Sequence, residues 1–419
     1  MEKLDKIKPL LRFPAFIQDG GWKEYKLGDI AQFYKGKGIS KNDVTDNGTI
    51  PCIRYGELYT HYKEVIDEVS SFTDLSIDDL FMSKANDIII PSSGETKEDI
   101  ATASCVLRNN VALGGDINVI RTSNNGVFLS YYLNNAKKHD IAKIAQGISI
   151  IHLYNEQLRN LSIDIPNLEE QQEIAECLSS IDSYISSINE KVEQLKTHKK
   201  SLSQMLFPQN GKNVPEYRFP EFEKKEKWEK RRLGDCIKMR NGYAFKSNSY
   251  ITSGKFKIVT IKNVKNGYLE MREYNTLNNL PSDIQYHQIL KKGNILISMT
   301  GNVGRVCMVD VDDCLLNQRV GLIDINADNI DKNFIFTILT GTNFEQAMIE
   351  SGQGAAQANI GNKDIENYCF LCPQSLNEQH RIAMSLSSVE KTIRYYSDKI
   401  FLLNQYKKGL MQQLFPTSK

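Results

Sequence analysis

The sequence predicts a duplicated α+β protein, each half a set of short strands followed by one long helix. Three observations carry that expectation. A heptad seam of apolar residues occurs twice. An aromatic opening segment with a single tryptophan occurs twice. Between opening and seam, short apolar strands bounded by polar turns recur in the same order.

The openings come first in the chain. One half begins Pro9-Leu10-Leu11-Arg12-Phe13-Pro14-Ala15-Phe16, then Trp22 and Lys26-Leu27-Gly28-Asp29. The other begins Pro215-Glu216-Tyr217-Arg218-Phe219-Pro220-Glu221-Phe222, then Trp228 and Arg232-Leu233-Gly234-Asp235. The offset is 206 (228 − 22), and these are the chain's 2 tryptophans. A repeat of this length means one structural unit per half.

Strand and loop segments follow. Asn86-Asp87-Ile88-Ile89-Ile90-Pro91-Ser92-Ser93-Gly94 parallels Gly293-Asn294-Ile295-Leu296-Ile297-Ser298-Met299-Thr300-Gly301. Both read as a polar turn, a short apolar strand and a loop of small residues. Ala112–Ile120 parallels Leu315–Ile323, and Gln146-Gly147-Ile148-Ser149 parallels Gln353-Gly354-Ala355-Ala356. The apolar framework is kept while the polar loops differ, which suggests two binding heads of different specificity.

The helices come last in each half. Ile174, Leu178, Ile181, Ile185, Ile188, Val192, Leu195, Lys199, Leu202 and Leu206 are spaced alternately by four and three residues. Ile382, Leu386, Val389, Ile393, Tyr396, Ile400, Leu403, Lys407, Leu410 and Leu414 repeat the pattern at an offset of 208 (382 − 174). Such spacing is a coiled-coil seam, with a lysine at the same step in each copy. The lysines are expected to cost stability but to fix register. Asn167 with Glu170, and Ser375 with Glu378, read as capping boxes. Pro208 and Pro416 stop the helices. Helices of this length reach roughly 60 Å at about 1.5 Å per residue. One such stripe alone would stay wet, so the two are expected to bury their seams against each other. The alternative is that each helix packs on its own globular domain.

Composition sets the bounds. The chain has 419 residues, enough for two or three domains, and is 41% hydrophobic and 25% charged, as folded chains are. No apolar run approaches the ~18 residues of a membrane span. The start, Met1-Glu2-Lys3-Leu4-Asp5-Lys6, lacks the apolar core of a signal peptide, and the expectation is a cytoplasmic protein. The net charge of +1 neither advertises nor excludes nucleic-acid binding, which needs only a local basic face. Lys224–Arg232 holds 6 basic residues in nine, read as a solvated face or as phosphate contacts. The 8 cysteines form no disulfide framework, and Cys369-x-x-Cys372, in an apolar run, reads as buried strand cysteines.

Catalytic patterns are missing. The sequence has no Pro-Pro, no Pro-Asp, no G-x-x-x-x-G-K-[ST], no G-x-S-x-G and no H-E-x-x-H. Its 6 histidines show no ligand spacing; His198 and His380, on the helices, read as facing solvent or a partner. No metal site and no catalytic constellation is expected.

The order and repetition of these motifs resemble the specificity (S) subunit of type I restriction-modification enzymes. The carriers are the Arg-Phe-Pro-x-Phe openings, the Leu-Gly-Asp that follows each Trp, and the helix starts Glu170-Gln171-Gln172-Glu173-Ile174-Ala175 and Glu378-Gln379-His380-Arg381-Ile382-Ala383. The helix ends, Gln204-Met205-Leu206-Phe207-Pro208 and Gln412-Gln413-Leu414-Phe415-Pro416, belong with them.

The resemblance implies two pseudo-symmetric target-recognition domains of mixed α/β type, separated by an antiparallel two-helix coiled coil. They would occupy 1–166 and 209–374 (linker 209–214), with helices 167–208 and 375–416. Each domain would read one half of a split double-stranded DNA target. It implies no catalysis in this chain. Two modification (methyltransferase) subunits would dock on it, and restriction/translocase subunits would complete the enzyme. S-adenosylmethionine, ATP and Mg²⁺ would belong to those partners, and no membrane is involved. Candidate DNA contacts are polar loop residues beside the framework strands. They are Lys35, Lys37, Ser92, Ser93, Thr96, Lys97, Gln146 and Ser149 in the first head. In the second they are Arg240, Asn241, Tyr243, Lys246, Thr300, Asn302, Gln353 and Gln357. Glu170-Gln171 and Glu378-Gln379 are candidates for the docking surface of the modification subunits. A self-contained DNA methyltransferase or nuclease, or a coiled-coil protein adaptor, remains the alternative.

Overall fold

The structure, a computed structural model, describes residues 7–209, 211–352 and 358–416. The chain forms two compact units. One comprises Met1–Asn189 with Asp398–Lys419, and the other Glu190–Ser397.

The first unit is built on β1 (Ala31–Lys35), β2 (Asp87–Pro91), β3 (Ser104–Val106) and β4 (Ile117–Thr122). They lie in the order β1-β4-β2-β3, all antiparallel, and Val65–Ile66 adds to β3 in parallel. Ile88, Ile89 and Ile90 of β2 are all buried, so this central strand reads as a continuous apolar run rather than an alternating one. A small sheet sets Ile50–Ile53 between Ser71–Thr73, antiparallel, and Ala112–Leu113, parallel. The helix α1 (Gly126–Asn135) is capped by the Asn125 side chain, which accepts from Phe128 N at 2.8 Å.

The second unit repeats the plan. β5 (Ile237–Asn241), β6 (Ile295–Ser298), β7 (Val306–Met308) and β8 (Val320–Ile325) lie in the order β5-β8-β6-β7. Phe256–Val259 pairs antiparallel with Asn275–Leu277 and parallel with Cys314–Leu316. The helix is α3 (Lys332–Leu339), capped by Asp331. A short ribbon closes each unit: Lys23–Lys26 with Ser162–Ile165, and Glu229–Arg232 with Cys369–Cys372. The turn before the central strand shows why sequence identity drifts while the fold persists. Asn86 and Gly293 both take positive φ, 77° and 85°, a conformation that Asn and Gly tolerate best.

The long helices are α2 (Leu168–Leu206) and α4 (Leu376–Leu414). None of the twenty seam positions is exposed. Within the first unit, Asp182 of α2 meets Lys407 of α4, and Tyr184 meets Lys399. Within the second, Lys199 meets Glu390 and Lys191 lies over Tyr396. Partner numbers fall as the first number rises, so the helices run antiparallel in both units. Each helix also enters globular cores, so the two readings of the seam are both realised. Ile174, Ala175 and Leu178 join the first unit's core together with Leu414 and Phe415 from the end of the other helix. Leu206, with Ile382, Ala383 and Leu386, does the same in the second.

Candidate nucleic-acid interface

Each unit ties its long helix to its opening segment through a buried ionic node. Glu170, in the first turn of α2, receives Arg12 Nε at 2.8 Å and Nη2 at 2.6 Å, and Trp22 Nε1 at 3.3 Å. Glu378 receives Arg218 Nε and Nη2, both at 2.8 Å, and Trp228 Nε1 at 3.1 Å. The remaining guanidinium donors bond backbone carbonyls of Asp19 and Gly20, or of Lys225 and Glu226. A carboxylate held by a bidentate fork plus an indole is fully satisfied, which makes its burial tolerable. The neighbouring glutamines act alike. Gln171 Oε1 accepts from Asn125 N and its amide donates to Pro166 O. Gln379 does the same with Asp331 N and Pro373 O.

Two expectations are corrected here. Glu170, Gln171, Glu378 and Gln379 are buried and spent on their own unit, so they offer no docking surface. The capping boxes are also incomplete. Asn167 Oδ1 accepts from Glu170 N at 2.8 Å, but both glutamates turn inward to Arg and Trp rather than back to the cap.

The first unit's candidate residues lie along one connected edge of loops. Lys35 ends β1 and Lys37 follows, both exposed, with Lys37 Nζ 3.3 Å from Asp78 O. Between them Gly36 is pressed so close that a Cβ would sit 2.0 Å from Gly114 O. Gly38 O accepts from Gly115 N, Asp116 O from Ser92 N, and Ser92 O from Leu153 N. Ser93-Gly94 then pairs with Ile151-His152. Ser92 and Ser93 are themselves buried, so they hold the edge together rather than present hydroxyls. Thr96 caps the turn Lys97–Ile100, and Lys97 is exposed. Gln146 and Ser149 stand exposed on the neighbouring turn, beside a wholly exposed Ile148.

The second unit mirrors this edge with other side chains. Gly242 takes the place of Gly36, its Cβ position 2.1 Å from Asn317 O. Asn241 is exposed, and its carbonyl lies 3.1 Å from His287 Nε2. Arg240 is half-buried, 3.3 Å from Asp324. Tyr243 donates to Asp283 at 2.7 Å, a bond that raises its hydroxyl pKa. Lys246 and Asn302 are exposed, and Thr300 is half-buried and bridges Asn359. Gln353 and Gln357 lie outside the described residues.

The sequence passed over two cavities beside these edges. One, of about 730 Å³, is bordered by Arg54, Lys41 and Asp116 in the first unit. The other, of about 590 Å³, is bordered by Thr260, Lys262, Lys265 and Arg272 in the second. Their only sequence signal is a polar residue following an apolar strand, with an acceptor three residues on: Arg54 with Glu57, Thr260 with Asn263.

Cys372 is buried, and burial pushes its thiol up to about 12, while Cys369 in the same strand is exposed, contrary to expectation. His198 is exposed, and His380 meets Asp331 at 3.1 Å. In the basic run, Arg232 pairs with Asp235 and Arg231 reaches Asn329. Among the described residues no cluster of three or more His, Cys, Asp or Glu is placed to hold a metal. No helix among them is long and apolar enough to cross a membrane.

Comparison with known proteins agrees with the doubled plan. The family model for the type I restriction modification DNA specificity domain matches twice, at residues 19–197 and 225–404. The type I restriction enzyme MjaVIII specificity subunit of Methanocaldococcus jannaschii is 26% identical over 405 residues, covering 94% of this chain and 92% of that protein. The EcoAI specificity subunit of Escherichia coli is 30% identical over 211 residues, 48% of this chain and 34% of that protein. The crystal structure of a type I restriction-modification S subunit from M. genitalium shares the fold, with a TM-score of 0.69 at 15% identity over 99% of this chain and 100% of that one.

Proposed function

Because this chain belongs to the type I restriction-modification DNA specificity family, we propose that each of its two units reads one half of a split double-stranded DNA target. Specificity subunits recognise DNA within a larger complex and are not themselves catalytic. The observation that carries the two-half-site reading is the repeated node. Arg12-Glu170-Trp22 and Arg218-Glu378-Trp228 hold equivalent frames, around which the exposed loop residues differ. One frame with two sets of side chains suits two base sequences.

In this reading the exposed loop residues, Lys35, Lys37, Lys97, Gln146 and Ser149 in one unit and Asn241, Lys246 and Asn302 in the other, contact DNA. Lysines position the phosphate backbone, and the amides and hydroxyls read base edges. The paired helices serve as a spacer. At about 1.5 Å per residue they match half-sites more than one turn of duplex apart, about 34–36 Å. Two modification subunits carry S-adenosylmethionine and take the flipped target adenines. Restriction/translocase subunits bring ATP and Mg²⁺, and the complex works in the cytoplasm.

The test is a methylome of cells expressing this chain with its modification subunits. A bipartite motif with a constant unread gap is the expected result. Adding one heptad to α2 and the facing heptad to α4 should lengthen the gap and leave both half-sites unchanged. Methylation by the purified chain without partners would overturn the proposal.

A further inference from the structure

Arg54 follows the strand Ile50–Ile53 and begins the turn into Glu57–Thr60. Its backbone N–H donates to Glu57 Oε2 at 2.7 Å, and the Ser71 hydroxyl donates to Glu57 Oε1. The guanidinium Nη2 stands 3.8 Å from Glu57 Oε1, an ion-pair distance beyond hydrogen-bond reach. Among the described residues no acceptor meets any guanidinium N–H of Arg54, and Nε is sealed from solvent with no partner. The sealed Nε cannot itself be reached from outside, so an acceptor from outside the chain meets the Nη1 and Nη2 end of the guanidinium, which is 28% exposed as part of its side chain and makes no hydrogen bond to the described residues.

The surroundings say what kind of acceptor. Arg54 borders the cavity of about 730 Å³ with Tyr55, Asp116 and the backbone of Gly38, Gly114 and Gly115. The cavity lies at the C-terminal ends of two parallel strands, where Ile53 pairs with Leu113 and Gly114 N donates to Ile53 O. Its wall runs into the loop edge through Gly115 and Asp116. A side chain that is 28% exposed, with one donor sealed, is recessed for a phosphate contact, which cations usually make from the open surface. Its fixed fork of parallel donors instead matches two acceptors on one base edge.

We propose that Arg54 is a base-reading residue of the first unit, its guanidinium donating to O6 and N7 of a guanine in that half-site. The inference rests on the DNA-reading function proposed above. The second unit supports it by contrast. Thr260 occupies the same turn, its N–H and hydroxyl both donating to Asn263 Oδ1, and it brings no guanidinium. The two half-sites therefore differ at this position.

The experiment compares methylomes of cells carrying the modification subunits with the wild-type chain, with Arg54→Ala or with Arg54→Lys. In both variants one guanine of one half-site should lose discrimination by about 5- to 150-fold, while the other half-site and the gap stay fixed. Lysine keeps the charge but not the fork, so it should not restore the guanine. An unchanged motif, or a uniform loss at all sites that Arg54→Lys rescues, overturns the proposal. If the alanine variant fails to accumulate, the lysine variant decides alone. If the wild-type chain yields no bipartite motif, the function itself fails, and that outcome is distinct from these.

Discussion

The two units anchor their long helices with the same Arg-Glu-Trp contacts at similar lengths, yet treat their seam lysines differently. Lys407, in the first unit, is 9% exposed and bonds Asp182 at 2.6 Å, with Glu64 at 3.5 Å. Asp182 also accepts from Tyr131 at 2.5 Å, and the lysine lies 4.9 Å from that tyrosine's ring centre. Lys199, in the second, is 33% exposed and has Glu390 at 2.6 Å as its ion-pair partner. Glu390 and Asp182 occupy equivalent positions (390 − 208 = 182). Thr337 stands where the first unit has Tyr131 (337 − 206 = 131), and with it goes the aromatic lid. One duplicated sequence feature thus gives a mostly buried ionic network in one unit and a half-wet pair in the other. What a seam lysine does depends on the globular residues laid over it, not on the seam.

The largest test asks whether the anchors are as alike as they look. Glu170→Ala and Glu378→Ala each leave a buried guanidinium without its carboxylate, and each should cost about 3–5 kcal/mol. Urea denaturation followed by tryptophan fluorescence reports both, since Trp22 and Trp228 touch the affected carboxylates. Clearly unequal losses would show that one unit leans on its node more than the other. The second test separates the lysines. Lys407→Met strands Asp182 and should cost about 3 kcal/mol, whereas Lys199→Met should cost about 0–1 kcal/mol. Similar losses would mean that exposure is not what distinguishes them. The smallest test removes the lid's hydrogen bond: Tyr131→Phe should cost about 1.5–3 kcal/mol, the worth of a hydrogen bond to a charged group.

The fold was legible because its signals are periodic and doubled. Nine alternating four- and three-residue steps at an offset of 208 marked both helices, and Asn86 and Gly293 opened matching polar turns, which the structure shows to be left-handed in both. The helix starts were misread for a physical reason. A heptad pattern shows which stripe meets another helix, but not which turns are swallowed by a globular core. Gln171 falls on the seam's own register (174 − 3 = 171) with Glu170 beside it, but both are polar and so look like surface, yet the first unit closes over them. Arg54 was invisible for the opposite reason. It sits in no motif, and only the three-dimensional placement shows its guanidinium 3.8 Å from Glu57, short of a hydrogen bond, while its backbone N–H and Ser71 bond that carboxylate.

The first unit's core closes on Phe415, whose ring packs 5.8 Å from Phe128 and 5.7 Å from Tyr132, while Leu11 N donates to Gln413 O. Gln413 and Phe415, with Leu414, leave the ribosome more than two hundred peptide bonds after Leu178, the buried member of that core that precedes them in the chain (413 − 178 = 235). Synthesis therefore finishes the second unit before the first can be sealed, and the earliest-made half must wait, its keystone still unwritten, for the last.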